Sequence, residues 1–320
     1  MRRRIVVGAS GFIGTRLVGR LADQGVEVVA IDIAPPRVVR SGVVYVTADV
    51  RQPLNPGLGE GAEAIYDLAA VHRTPGHAPH EYYETNVVGA SHVSALAEAS
   101  RIPLIVFTSS ISVYGPSEEV LTEESPLRPE SDYGRSKRLA ELLYGRWVRA
   151  EKVRRLVVVR PGVIFGPGER GNYTNLARAL RRGMFVYPGR RDTVKSGGHV
   201  DELLRAIDFA ISRRRREVLF NFAFPDESTT EEIVGAFARV AGYPHNPATM
   251  PVAPLLAAAS LFEAADGLGF KNPIHRERIM KLVRSTRVAP KWLLDNGYRF
   301  EADLEAALAG WHAETAGRFD

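Results

Sequence analysis

The stretch Ile5-Val6-Val7-Gly8-Ala9-Ser10-Gly11-Phe12-Ile13-Gly14 decides how this chain is read. Three apolar residues lead into a glycine-rich turn, and the amphipathic segment from Phe12 to Asp23 leads out. Strand, glycine turn, helix is the arrangement that holds a dinucleotide pyrophosphate. Gly8 turns the chain sharply off the strand, through backbone angles that a side chain disfavours. Gly11 lets the backbone approach the phosphates, and Gly14 lets the helix sit close to the sheet. The free N–H groups and dipole at the helix start favour an anion. The spacing is G-x-x-G-x-x-G, not the more familiar G-x-G-x-x-G. A second apolar run, Val26 to Ile31, ends at Asp32, about 20 residues on, where a ribose-binding acid is expected. Taken alone, Asp32 either fills that role or caps the following turn.

Working outward, 320 residues with 45% hydrophobic content suffice for one large α/β unit with an added lobe. The chain has no cysteine, which excludes disulfides and thiolate metal sites and agrees with a cytoplasmic location. Met1-Arg2-Arg3-Arg4 is followed by only three apolar residues, unlike a secretion signal. The apolar stretch from Val252 to Ala265 contains Pro254 and Glu263 and is too short to span a bilayer. With 42 basic and 37 acidic residues, the net charge of +5 is mild, and no nucleic-acid module or internal repeat is present.

Further strands are read at Val43–Val46, Ala64–Leu68, Leu104–Phe107 and Leu156–Val159. Helices are read from about Glu81 to Ser100, and from Ser131 to Ala150 with Leu139, Leu142, Leu143 and Trp147 on one face. Continuous apolar strands alternating with helices predict a doubly wound parallel sheet. Beyond Arg160 the sequence becomes turn-rich. A smaller, mostly helical C-terminal substrate lobe is expected over 166–199 and 231–320. The dinucleotide-binding domain is expected to take 1–165 and, through a returning segment, about 200–230. Phe220, Phe222 and Phe224 alternate as core residues of a strand.

Tyr133 and Lys137 lie four apart on a helix and share a face. A nearby ammonium lowers the pKa of a phenol, normally about 10, so that it can take a proton from a hydroxyl. By itself such a pair is as readily an exposed surface pair. Ser110, at a strand end, can hydrogen-bond the same substrate oxygen.

The motifs Gly8-x-x-Gly11-x-x-Gly14, Asp32, Asp49-Val50, Leu68-Ala69-Ala70, Thr85-Asn86-Val87-x-Gly89, Ser110-x-x-Val113-Tyr114-Gly115, Tyr133-x-x-x-Lys137 and Arg160-Pro161-Gly162 occur in this order. The set resembles the extended short-chain dehydrogenase/reductases, and within them the nucleotide-sugar epimerases and dehydratases, over residues 4 to about 212. The resemblance implies a Rossmann-like fold and NAD as cofactor. It implies catalytic roles for Ser110, Tyr133 and Lys137, with Lys137 also on the nicotinamide ribose. Gly8, Gly11, Phe12, Ile13 and Gly14 would hold the pyrophosphate, and Asp32 the adenosine ribose. Asp49 and Val50 would flank adenine. Leu68, Ala69 and Ala70 would line the cofactor channel, and Pro161 would lie near the nicotinamide. On the substrate side it implies Asn86, as a support, with Ser112 and Asn172. The distal phosphate would fall to Lys195, and to Arg276 or Arg278, of which Arg278 is taken.

Ser110-Ile111-Ser112 lacks the carboxylic acid that the family's 4,6-dehydratases carry there, and the glutamate of its decarboxylases. Within the resemblance, that leaves epimerases, 4-ketosugar reductases and plain dehydrogenases, and the reading taken is an NAD-dependent epimerase of a nucleotide-diphosphate sugar. It would act at C4 through a transient 4-keto sugar, as a cytoplasmic homodimer that binds neither nucleic acid nor membrane. A nucleotide 4-ketosugar reductase and a non-catalytic dinucleotide sensor are the alternatives. His72, His77 and His80 are read as solvated or substrate-facing, with no metal site. Arg191 and Lys195 either face phosphate or are solvated.

Overall fold

The structure, a computed structural model, describes residues 2–74, 76–244, 246–266 and 276–320, with only the backbone described at 261–266, 277 and 278. Seven strands form one parallel sheet: β1 (Arg3–Val7), β2 (Glu27–Asp32), β3 (Val43–Thr47), β4 (Ala62–Asp67), β5 (Leu104–Thr108), β6 (Arg155–Pro161) and β7 (Glu217–Phe222). Their order is β7-β6-β5-β4-β1-β2-β3. The chain runs outward from β1 to β3, then returns to place β4 on the other side of β1. A crevice therefore opens at the carboxyl ends of β1 and β4, where such sheets bind ligands.

The strands are continuously apolar because both faces are covered. Val6 points to one face and packs with Leu17 and Leu21 of the helix Phe12–Asp23 and Leu203 and Ile207 of Val200–Ser212. Ile5 and Val7 point to the other, toward Val93 and Leu96 of Gly89–Ala99 and Ala140, Tyr144 and Val148 of Asp132–Ala150. A third core joins Phe165, Tyr173, Phe237, Leu308 and Trp311 beyond the sheet. Leu293 and Tyr298, late in the chain, pack back onto the sheet core with Phe220 and Phe222. Among the described residues, no helix is long and apolar enough to cross a membrane.

Two helices differ from expectation. The segment read as one helix from Glu81 is a short helix Pro79–Tyr83, a π turn Glu84–Val88 and the helix Gly89–Ala99. The wide turn carries Asn86, as such bulges often do at functional sites. The helix Asp132–Ala150, capped by Ser131 accepting from the Gly134 N–H, buries Ser136, Lys137, Ala140, Tyr144, Trp147 and Val148. Leu139 and Leu142 are 42% and 54% exposed, so they are not on the buried face with Trp147. Lys137 and Tyr144 occupy that stripe, and a residue two positions from Lys137 lies about 200° round the helix.

A buried polar chain ties the site end of the sheet together. Arg160 donates from Nε and Nη2 to Glu141 at 2.8 and 2.6 Å, and from Nη1 to the Tyr114 hydroxyl at 2.8 Å. The Ser109 hydroxyl donates to Glu141, and the Tyr114 hydroxyl donates to Asn221 on β7. Glu123 accepts from the backbone N–H of Asn221 and of Trp292. The Arg160 and Glu141 side chains are 5% and 11% exposed. Removing one partner leaves the other's charge buried, so Arg160→Met is expected to cost about 3–5 kcal/mol of folding stability. Urea unfolding at pH 7 measures it; a loss under about 1 kcal/mol would place the pair among surface ion pairs.

Candidate active site

The glycine turn forms where the sequence places it. Gly8 has φ +80°, in the left-handed region. A Cβ there would lie 2.6 Å from the Ala69 nitrogen, so Gly8 also lets β4's exit pass close by. A Cβ on Gly14 would collide with the Gly8 carbonyl oxygen. Gly11 is the N-cap of Phe12–Asp23 and caps it with no side chain, leaving an anion-binding helix end with backbone donors. Phe12 and Ile13 form its first turn, half-buried.

Asp32 stands at the end of β2, accepting from the Ser10 N–H and the Ala34 N–H, each at 2.9 Å. It thus performs both the turn-fixing role and the placement of a carboxylate beside the glycine loop. Asp49 is held by Arg51, which donates to both its oxygens, and this pulls the Asp49 pKa below the usual carboxylate value. Asp49 and Arg51 line a cleft of about 450 Å³ with Gln52, Glu84 and Val88, and Val50 is buried beside it. Leu68, Ala69 and Ala70 leave β4 half-buried on the crevice, and Pro161 ends β6 buried.

Ser110, Tyr133 and Lys137 come together across the carboxyl end of β5. The Lys137 ammonium donates to the Thr108 carbonyl at 2.8 Å and lies 4.7 Å from the Phe107 ring centre. Burial pulls its pKa down to about 8, against the opposing influence of Asp67 and Glu141. Burial pushes Tyr133 up to about 12, and the Ser110 hydroxyl works in the other direction. The expected depression of the phenol pKa is therefore not what the protein surroundings alone impose; desolvation outweighs it. The Ser110 hydroxyl also lies 3.1 Å from that of Ser112.

The remaining expected site residues separate. Asn86 is buried: its amide donates to the Val71 carbonyl and the Ser136 hydroxyl, and its oxygen accepts from the Val71 N–H. It pins the β4 exit loop to the helix carrying Lys137, a support, and its side chain is committed to the protein. Asn172 is exposed at the first turn of Asn172–Arg181. Lys195 departs from expectation. Its ammonium donates to the Lys281 and Arg284 carbonyls and closes the end of the helix Arg276–Val283, a favoured place for a cation. Arg191 bonds Glu231, Asn246, Pro247 and Thr249. The side chain of Arg278 lies outside the described residues. Among the described residues, no His, Asp and Glu side chains cluster as a metal site.

Sequence reasoning missed Asp67 and Glu141, whose charges act on Lys137, and Tyr144, which bonds Asp67. The signal was available in part: Glu141 and Tyr144 follow Lys137 by four and seven residues, the helical repeat of one face.

The model of the NAD dependent epimerase/dehydratase family matches residues 4–222. The chain belongs to that family, and NAD is its cofactor. One curated relative is an N-acetyl-alpha-D-glucosaminyl-diphospho-ditrans,octacis-undecaprenol 4-epimerase of Escherichia coli O157:H7, 34% identical over 213 residues, which are 65% of this chain and 62% of the relative. Another is a UDP-glucose 4-epimerase of Vibrio cholerae, 25% identical over 217 residues, 64% of this chain and 66% of the relative. The chain thus spans less than two thirds of either. Among solved structures, MoeE5 in complex with UDP-glucose and NAD superposes with a TM-score of 0.75 at 25% identity, over 98% of this chain and 99% of its own. A UDP-glucose 4-epimerase of Thermus thermophilus in complex with NAD gives 0.75 at 21% identity, over the same shares, and shows the shared fold.

The carboxylate at Asp32 favours a ribose 2′-hydroxyl and repels a 2′-phosphate. Arg37 is nearby, but its guanidinium donates to the Gly168 carbonyl at 3.0 Å. NAD is therefore expected to bind tighter than NADP by about tenfold or more, the scale of one charge-assisted hydrogen bond. Arg37→Ala should leave the ratio within about threefold. Calorimetric titration with both cofactors checks this, and an NADP preference would overturn the role of Asp32.

Proposed function

We propose that this chain is an NAD-dependent sugar-diphosphate epimerase acting at C4, with Tyr133 as the proton-transfer group. The observation that supports it most is the Ser110, Tyr133 and Lys137 constellation at the mouth of a crevice that holds no carboxylic acid at Ser110-Ile111-Ser112. NAD, when bound, supplies a reversible hydride acceptor. The chain's own residues handle the proton. Tyr133, as phenolate, takes the proton of the sugar 4-hydroxyl and returns it after the hydride comes back on the other face. Ser110 donates a hydrogen bond to the same oxygen and stabilises the charge that develops there. The Lys137 ammonium favours the phenolate and, through its remaining donors, the nicotinamide ribose. Gly8, Gly11, Phe12, Ile13 and Gly14 take the pyrophosphate at the open helix end, and Asp32 the adenosine ribose. Asp49 and Val50 flank the adenine.

The favoured substrate is a nucleotide-diphosphate sugar, the class of ligand that MoeE5 holds in its complex with UDP-glucose. A second reading has a polyprenol in place of the nucleoside, as in the name of the Escherichia coli relative. It is favoured by the helix Val252–Asp266, whose residues 252–260 carry no charge and expose Ala253, Pro254, Ala257 and Ala258. The exposed Leu139 and Leu142 on Asp132–Ala150 support a homodimer that covers them.

Tyr133→Phe is expected to lower turnover by about 10²–10⁴-fold and leave NAD affinity nearly intact, since only the proton-transfer group is lost. The assay incubates the enzyme with UDP-, GDP- and dTDP-hexoses, and separately with a polyprenyl-diphosphate N-acetylhexosamine, without added NADH. Isomerisation of a nucleotide sugar supports the first reading, and isomerisation of the lipid-linked sugar alone supports the second. Stoichiometric NADH oxidation by a 4-ketosugar with no isomerisation would make the chain a reductase. No turnover of any kind would favour the sensor.

A further inference from the structure

Lys137 is 1% exposed, and one hydrogen bond to a carbonyl does not offset the burial of an ammonium. A buried counter-charge acts on it. Asp67, the last residue of β4, is 3% exposed and pairs in register with Phe107 of β5. The Phe107 ring is the shared floor: Lys137 sits above it, and Tyr144 packs against it with ring centres 4.8 Å apart. Tyr144 is fully buried and donates its hydroxyl to Asp67 Oδ2 at 2.6 Å. The Ala69 N–H donates to Asp67 Oδ1 at 3.2 Å. Each carboxyl oxygen thus accepts a hydrogen bond. A neutral acid would have to reverse one of these bonds and donate through Oδ2 to the Tyr144 oxygen, since the Ala69 N–H can only donate. The arrangement fits a carboxylate.

We infer that Asp67 is the buried counter-charge that keeps Lys137 protonated, a positioning residue for the Tyr133–Lys137 pair that touches neither substrate nor cofactor. The inference rests on the proposed role of Lys137 for its functional meaning, but the charge interaction of Asp67 with Lys137 does not. The other groups around the lysine do not replace Asp67. Glu141, one turn along the same helix, already pairs with Arg160 of β6. His72, on the loop after β4, has its pKa lowered by burial and further by the charge of Lys137. Tyr133 is a neutral phenol until it gives up its proton. Ser110 and Thr108 carry no charge. Burial raises the pKa of Asp67 and lowers that of Lys137, while each group's charge opposes the other's shift. Their ionised forms therefore persist together or are lost together.

An ammonium at position 137 is required, so activity falls as pH rises through its pKa. Without the carboxylate, desolvation acts unopposed by Asp67, and that pKa moves further down. The test reads the lysine directly. The chain has six lysines, so 13C-labelled lysine side chains give a spectrum in which Lys137 is identified by its loss in Lys137→Arg. In the unmodified protein, without added ligand, Lys137 should titrate near 8. In Asp67→Asn, or in the smaller Asp67→Ser, it should titrate lower by about one unit or more, the scale of one near charge. The alkaline limb of turnover should move down with it. A Lys137 pKa unchanged in the folded variant would overturn the proposal, because a merely structural role lowers stability without moving that titration. Should neither variant fold, 13C carboxyl spectra of the unmodified protein still decide. Asp67 must be ionised at pH 7, and a protonated Asp67 would overturn the inference. Failure of every sugar to isomerise would instead defeat the functional reading and leave the Lys137 titration to stand or fall separately.

Discussion

A lysine ammonium held out of water at the end of a parallel sheet is the constraint on which the site depends. Lys137 reaches the end of β5 because the helix Asp132–Ala150 lies flat on one sheet face, held there by Ala140, Tyr144, Trp147 and Val148. Its charge must be answered by groups that come from elsewhere: the Thr108 carbonyl from β5 and the Asp67 carboxylate from β4. The same helix brings Glu141, whose charge is answered in turn by Arg160 from β6. The polar chain then passes through Tyr114 and Asn221 to β7. Four adjacent strand ends are thereby registered against one helix by buried polar bonds, not by apolar contact alone. Apolar packing tolerates small slips, whereas buried charge pairs lose much of their value when displaced.

What is legible in the sequence is local. The glycine turn, its strand and its helix lie between Arg3 and Asp23, and each glycine answers a steric demand that the neighbouring chain creates. The strands are legible because both sheet faces are covered, which makes each an unbroken apolar run. Tyr133 and Lys137 are legible because a helix repeat places them together. The partners of Lys137 are not, since Asp67 and Tyr144 are 77 residues apart and meet only through the sheet. Lys195 escapes for the same reason. Its carbonyl partners lie 86 and 89 residues on, and a basic residue in a loop carries no mark of which it will meet. Leu139 and Leu142 point inward on apolarity alone, but a polar pair claims the buried stripe.

The chemistry asked of the site bears on why it is arranged this way. A transient oxidation at a sugar carbon needs a base that takes a proton and gives the same proton back. A tyrosine suits this when its phenolate is reachable but not permanent. The protein surroundings alone hold Tyr133 near 12 and Lys137 near 8, so the lysine would lose its proton before the tyrosine. A phenolate beside an ammonium is the reverse distribution. It becomes favourable only when positive charge near the phenol outweighs its desolvation, and when the ammonium is kept from discharging. The fixed anion that acts on the lysine meets the second condition. It does so from the adjacent strand, in register with Phe107, where Asp67 bonds Tyr144 and the Ala69 N–H.

That geometry also bears on why carboxylates stand on the buried side while positions 110 and 112 carry hydroxyls. A carboxylate facing the sugar at Ser110-Ile111-Ser112 would offer a second base or an acid, and would open elimination as a competing outcome. On the proposed reading, hydroxyls at 110 and 112 stabilise an oxyanion without supplying a proton donor of comparable strength. Of the carboxylates around Lys137, Asp67 and Glu141 are each fixed by their own hydrogen bonds. At positions 110, 112 and 133 the open face carries two hydroxyls and one tunable phenol. On the proposed reading, a sugar hydroxyl on such a face is oxidised and restored, and the hydroxyls at 110 and 112 do not expel a neighbouring one.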